Sequence, residues 1–269
     1  MAFAGHEGTG FPPLHIEPAN QEVIMTNPGL EHCPSFISSQ VQFVEGLESP
    51  SGKNVRRAVT ISRQAGCGAL VVAEKLAHYL QTHSVGNARP WVVFDRNLMD
   101  KVLEDHNLPA CLAKFLPEDR ISELEDIMAD VFGVHPPSTT VIHQTAETLL
   151  RLADAGNVIL IGRGANIVTA RLPHVFHVRL VAPLDDRIEH SHTAYKDYNM
   201  TKTEARKFCL REDLARQRYL KKYFGADIEN PLLYHMIINT GLVSYDDAAR
   251  IIGDAVLKLA WAERSPSGR

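Results

Sequence analysis

Cysteine is scarce in this chain, and what there is carries no metal pattern. The four cysteines, Cys33, Cys67, Cys111 and Cys209, are scattered, and the thirteen histidines come with neither a Cys-x-x-Cys pair nor a His-Glu-x-x-His run. That argues against a zinc site and against a disulfide framework. His174, His177, His190 and His192 lie close in sequence, but in segments that read as strand and exposed helix. No apolar run approaches the roughly 20 residues of a membrane span, and no signal-peptide pattern appears, so a reduced, cytoplasmic setting is expected. Charge of one sign is lacking too: 28 Lys and Arg stand against 32 Asp and Glu, a net charge of -4. A protein that coats nucleic acid is thereby excluded, and any basic site must be local.

What is present is enough apolar residue, 45% of 269, for a full core, and one domain with an extension fits better than two equal domains. Residues 1–55 are rich in Pro, Gly, Ser and Asn around one modest apolar segment, 36–47. They read as a partly ordered extension suited to packing on the core or to self-association. The domain itself is expected over 56–264. Strands are predicted at 58–61, 91–94, 157–161, 175–181 and 236–239. The fully apolar Val158-Ile-Leu-Ile161 is the composition of a strand buried on both faces. Helices are predicted between them, at 69–81 with an apolar stripe of Leu70, Val72, Ala73, Leu76, Ala77 and Leu80, from 96 to about 105, from 138 or 139 to Gly156, from 183, over 201–224, and after Ser244. An acidic helical insertion is expected over 109–132. Strand and helix alternating in this way predict an α/β three-layer sandwich with a five-stranded parallel sheet.

The chain is organised around Ile61-Ser-Arg-Gln-Ala-Gly-Cys-Gly68, a strand end and glycine turn that opens a helix. A helix N-terminus presents unpaired amides and partial positive charge, so this turn reads as a phosphate cradle formed by Gly66, Cys67, Gly68 and Ala69. The alternative is that the glycines only shape a tight turn. Cys67 is either a redox-sensitive thiol at a helix start or a small residue that fits. Arg163, between Gly162 and Gly164 at a strand's C-terminal end, stands where open α/β sheets bind ligands. The segment from about 200 to 230 is strongly basic.

Several separated segments carry a resemblance. They are the glycine turn, residues 94–102 (FDRNLMDKV), Gly162-Arg163-Gly164, residues 181–187, the set Asp213, Arg216, Arg218 and Tyr219, and Ile238-Asn-Thr240. In their order and spacing, over about 58–259, the chain resembles the cytidylate kinase-like proteins, relatives of nucleoside monophosphate kinases. The resemblance implies ATP on the glycine loop, with Mg²⁺, and CMP or a similar acceptor under a mobile lid at about 200–230. Partners would be small nucleotides, with no nucleic acid and no membrane. Lys101, Arg163 and Arg187 match positions that hold the acceptor phosphate. Asp213 matches a lid aspartate that faces the pyrimidine or its sugar, and Arg216 the lid arginine.

Three departures matter. Ala69 stands where those kinases have the loop lysine, Val71 where they have the magnesium-binding hydroxyl, and Cys209 where they have a further lid arginine, for which Arg211 or Arg206 is a candidate substitute. Arg63 either replaces the missing loop charge or braces the loop. Ser62 is the candidate metal hydroxyl, and Asp95 reads as a helix cap or an acidic site residue. Two functions stay open on these residues: a nucleotide kinase, and a catalytically inactive nucleotide sensor with a degenerate loop.

Overall fold

The computed structural model describes residues 57–84, 90–95, 140–195 and 199–258. Lys101, the 1–55 extension, the 109–132 insertion and the helix expected from 96 lie outside them. The elements are β1 (Ala58–Arg63), α1 (Ala69–His83), β2 (Val92–Phe94), α2 (Thr140–Ala155), β3 (Val158–Ile161), α3 (Ala165–Val168), β4 (Val175–Val181), α4 (Leu184–Ala194), α5 (Lys202–Phe224), β5 (Met236–Asn239) and α6 (Tyr245–Lys258). The five strands form one parallel sheet in the order β2-β3-β1-β4-β5. From β1 the chain goes out to the β2 and β3 flank and then crosses back to β4. The C-terminal ends of β1 and β3 therefore look into the crevice where such sheets take ligands.

Alternation along the strands sorts the core into two layers. Val59, Ile61, Phe176, Val178 and Leu180 face α1 and α6, where they meet Val72, Leu76, Leu80, Ile252 and Val256. Ala58, Phe94, Leu160 and Val175 face α2 and α3, where they meet Leu149, Leu150, Leu152 and Val168. Each fully buried leucine contributes about 2 kcal/mol of transfer free energy, so the sheet is held mainly from these two faces. Leu70, expected in the buried stripe of α1, is 38% exposed. It lies about 100° round the helix from the centre of the 72–80 stripe. Among the described residues no helix is long and apolar enough to cross a membrane.

The long basic helix α5 is defined at both ends by its own residues. Thr201 accepts the Glu204 amide and Glu204 accepts the Thr201 amide, a reciprocal cap, and Gly225 closes the far end at φ +65°.

Where neither α2 nor α3 covers β4, the sheet carries polar side chains in register. Thr60 lies beside His177 and Ser62 beside Arg179. Thr60 Oγ1 and His177 Nδ1 share a 2.8 Å hydrogen bond. Arg179 Nη1 donates to Ser62 Oγ at 3.2 Å, and its Nη2 donates to Glu229 Oε1 at 2.5 Å. Tyr234 donates to the Ile228 carbonyl at 2.9 Å and lies 3.3 Å from Ser62 Oγ. The segment 226–235 is thus fastened to the sheet by polar contacts.

His177 is 5% exposed, and burial, with a smaller contribution from His235, lowers its pKa to about 3. A histidine whose folded pKa lies below its unfolded value of about 6.5 stabilises the fold only while it stays neutral. Stability is therefore whole above pH 6.5 and falls as the pH drops toward 3. Melting temperatures measured from pH 7 to pH 4 should fall more steeply for the native protein than for His177→Gln. Parallel curves would exclude this role.

Candidate functional site

The loop after β1 is fixed from several sides. The Gln64 amide donates to the Leu180 carbonyl at 3.0 Å, and Gln64 Oε1 accepts the Ala182 amide at 3.0 Å, so the loop starts pinned to the end of β4. Gly66 and Gly68 both take left-handed φ, +81° and +73°. Gly68 is the N-cap of α1, and no side chain caps the helix there. A Cβ on Gly68 would overlap the ring of Tyr245, and one on Gly66 would overlap the Arg187 carbonyl, so the glycines also admit the neighbours that grip the loop. Thr240 Oγ1 donates to the Cys67 carbonyl at 3.1 Å. None of these grips spends a side chain on the first amides of α1, which is the condition for an anion site at a helix start.

Cys67 turns into the core. It is 1% exposed, and its thiol donates to the Gln64 carbonyl at 3.0 Å. Burial pushes its pKa up to about 11, against the opposing pull of Arg63, Arg216 and Arg187. A thiolate is the reactive species, so of the two sequence readings the small filler is the one observed. Only the backbone of Cys67 is left to meet a ligand.

Three guanidiniums from three elements share one electrostatic neighbourhood. Arg63 ends β1, and its guanidinium lies across Gly162, whose φ of +81° and lack of Cβ leave room for it. Its pKa is lowered to about 10, first by burial, then by Arg216 and to a smaller degree by Arg163, with Cys67 and Asp95 opposing. Arg63 stays charged at neutral pH, with two cations, Arg216 and Arg163, and the acid Asp95 in its neighbourhood. Arg163 sits at φ +55° after β3. Its field acts on Tyr219 of α5, whose own pKa burial raises. The Phe224 ring packs on Gly164, where a Cβ would come within 2.6 Å of it. The C-terminal end of α5 is thereby seated on the Gly162–Gly164 turn.

Arg187 is held by several groups of the chain. Its side chain is 7% exposed. Nε donates to the Ala182 carbonyl at 3.0 Å, and Nη1 donates to the Ala65 carbonyl at 3.1 Å and to Asp213 Oδ2 at 2.6 Å. Through the Ala65 carbonyl and Asp213, Arg187 braces the loop. Asp213 is also committed: its Oδ1 accepts the Ala65 amide at 2.7 Å and lies 3.4 Å from Arg216 Nη1. Neither role was legible in spacing, because the partners are 122 and 148 residues apart.

Ser62 does not fit a metal. Ser62 is buried and its hydroxyl lies within the Arg179 and Tyr234 network, and a guanidinium at 3.2 Å repels a dication. Among the described residues no group of three His, Cys, Asp or Glu could hold a metal ion. Arg206, Arg211, Arg218, Lys221 and Lys222 are exposed. Arg211 pairs at 3.6 Å with its neighbour Glu212, a contact of little strength at the surface. Cys209 is buried 3.4 Å from Ser191, so the substitution at this lid position adds packing where a charge was expected.

The chain is similar to a solved structure, an uncharacterized protein from Eubacterium ventriosum ATCC 27560, with a TM-score of 0.58 and 17% identity over 76% of this chain and 99% of that one. At that identity the likeness concerns the fold, which it supports. No curated protein matches the chain. A family model, described as the cytidylate kinase-like family, matches residues 58–242. That span exceeds half of the chain and runs from the start of β1 through the glycine loop and α5 to the turn after β5, and so the chain belongs to the cytidylate kinase-like family.

Proposed function

We infer that the protein is a nucleoside monophosphate kinase-like phosphotransferase that moves the terminal phosphoryl of ATP onto CMP or a similar small acceptor. The observation that carries this reading is the gathering of Arg63, Arg163 and Arg216 beside a helix start that no side chain caps. Amides at Gly66 to Ala69 would hold donor phosphates, with Arg63 supplying the charge that Ala69 cannot. In the transfer an acceptor phosphate oxygen bonds to the γ-phosphorus while the bond to the bridging oxygen breaks, and ADP leaves. Negative charge moves along that line, and fixed cations such as Arg163 and Arg216 lower its energy without reorganising. Lys101 belongs to the same reading, as a further contact for the acceptor.

Magnesium, when bound, would offset the negative charge of the donor phosphates. Since Ser62 does not fit as its ligand, the ion is best read as arriving with the nucleotide.

A second reading has its own observation. Ala69 and Val71 replace the lysine and hydroxyl, and Ser62 is tied to Arg179, which favours a nucleotide sensor that binds without turnover. An assay of ADP release across the common nucleoside monophosphates, run beside calorimetry, separates the two. A kinase gives turnover with CMP or another acceptor, a sensor gives binding alone, and a protein that binds no nucleotide is neither.

Two variants should divide in their effects. Arg63→Ala should weaken ATP binding by roughly thirtyfold, the equivalent of about 2 kcal/mol for a lost charged hydrogen bond, with little change in urea stability. Unchanged affinity in calorimetry would reject the role of Arg63. Arg187→Ala, which removes the brace to the Ala65 carbonyl and one of the partners of the part-exposed Asp213 carboxylate, should lower stability by about 2 kcal/mol in urea denaturation. A neutral result there would show that Arg187 is not the brace.

A further inference from the structure

The Asp213 carboxylate has the surroundings of a phosphate. Oδ1 accepts the Ala65 amide of the glycine loop at 2.7 Å and lies 3.4 Å from Arg216 Nη1, while Oδ2 accepts Arg187 Nη1 at 2.6 Å. One backbone amide and two guanidiniums around a pair of anionic oxygens are what a loop of this kind offers a phosphoryl group. Here the anion is supplied by α5, 148 residues along the chain from Ala65. We propose that Asp213 is an internal tenant of the phosphate site, which holds the loop amide and Arg216 in the unliganded protein and must leave before a polyphosphate can bind.

This inference rests on the phosphate-binding reading above and adds a cost to it. The tethered carboxylate competes at high effective concentration, although it carries one negative charge and a polyphosphate carries several. The apparent affinity is lowered by the fraction of molecules in which the site is already taken. Departure of Asp213 leaves the loop standing, because Arg187 keeps its bonds to the Ala182 and Ala65 carbonyls. The side chain of Asp213 is 25% exposed, so incoming anions can reach it.

The test is calorimetry with inorganic tripolyphosphate on the full chain and on Asp213→Asn, a variant of the same shape without the charge. Affinity should rise about tenfold. Glu212→Gln, which removes a neighbouring acid that contacts Arg216 but not the loop amide, should change it by less than about twofold. If native protein binds and Asp213→Asn binds equally or more weakly, or if Glu212→Gln gains as much, the tenant idea fails and the phosphate site stands. If neither native protein nor variant binds, both fail. Should Asp213→Asn not fold, a crystal structure of the native protein with tripolyphosphate decides. Asp213 must then have left the Ala65 amide, and a phosphate bound while that 2.7 Å contact persists would overturn the proposal.

Discussion

The ion pair between Arg187 and Asp213 joins three separated parts of the chain at one point. Arg187 opens the first turn of α4, Asp213 lies in the middle of α5, and both bond to Ala65 in the loop after β1. Arg187 is nearly buried while Asp213 keeps part of its side chain in water, so the desolvation falls mostly on the arginine and offsets much of the attraction between the two. The consequence of the pair is geometric. The contact ties the loop after β1 to α4 and to the middle of α5, where Arg216 lies one turn on from Asp213.

Around that node the loop is held by groups that leave its helix-start amides alone. Tyr245 covers Gly68, Thr240 holds the Cys67 carbonyl, and the Arg187 carbonyl fills the space beside Gly66. The apolar layers beneath keep β1 and β3 parallel, and this brings Arg63 across Gly162. A single methyl group on Gly162 would deny Arg63 that place.

Local periodicity made much of this architecture readable in advance. The apolar run 158–161, the strand 175–181, and the Thr201 and Gly225 boundaries of α5 stand where pattern and capping chemistry put them. The four-residue helix α3 was not readable, since it begins inside a turn with no cap of its own. Site residues were legible as types and not as partners. Arg63, Arg163 and Arg216, from three separate elements, share one electrostatic neighbourhood. The contacts of Arg187 and Ser62 are pairings across the sheet and with α5 that no local signal encodes. Cys67 became clear only when its burial was known.

A loop without the lysine, with the cation Arg63 at a strand end, would work differently from one that has it. A lysine at the start of α1 would swing on a flexible stem and follow its ligand. Arg63, Arg163 and Arg216 are instead anchored to a strand end, a left-handed turn and a helix, and Arg63 is already partly desolvated among like charges. That arrangement raises the energy of the empty site and gives an incoming anion more to neutralise. It also explains why a carboxylate of the protein's own is found there. A bowl of fixed cations in a folded chain draws in the nearest negative charge available, and α5 carries one within reach.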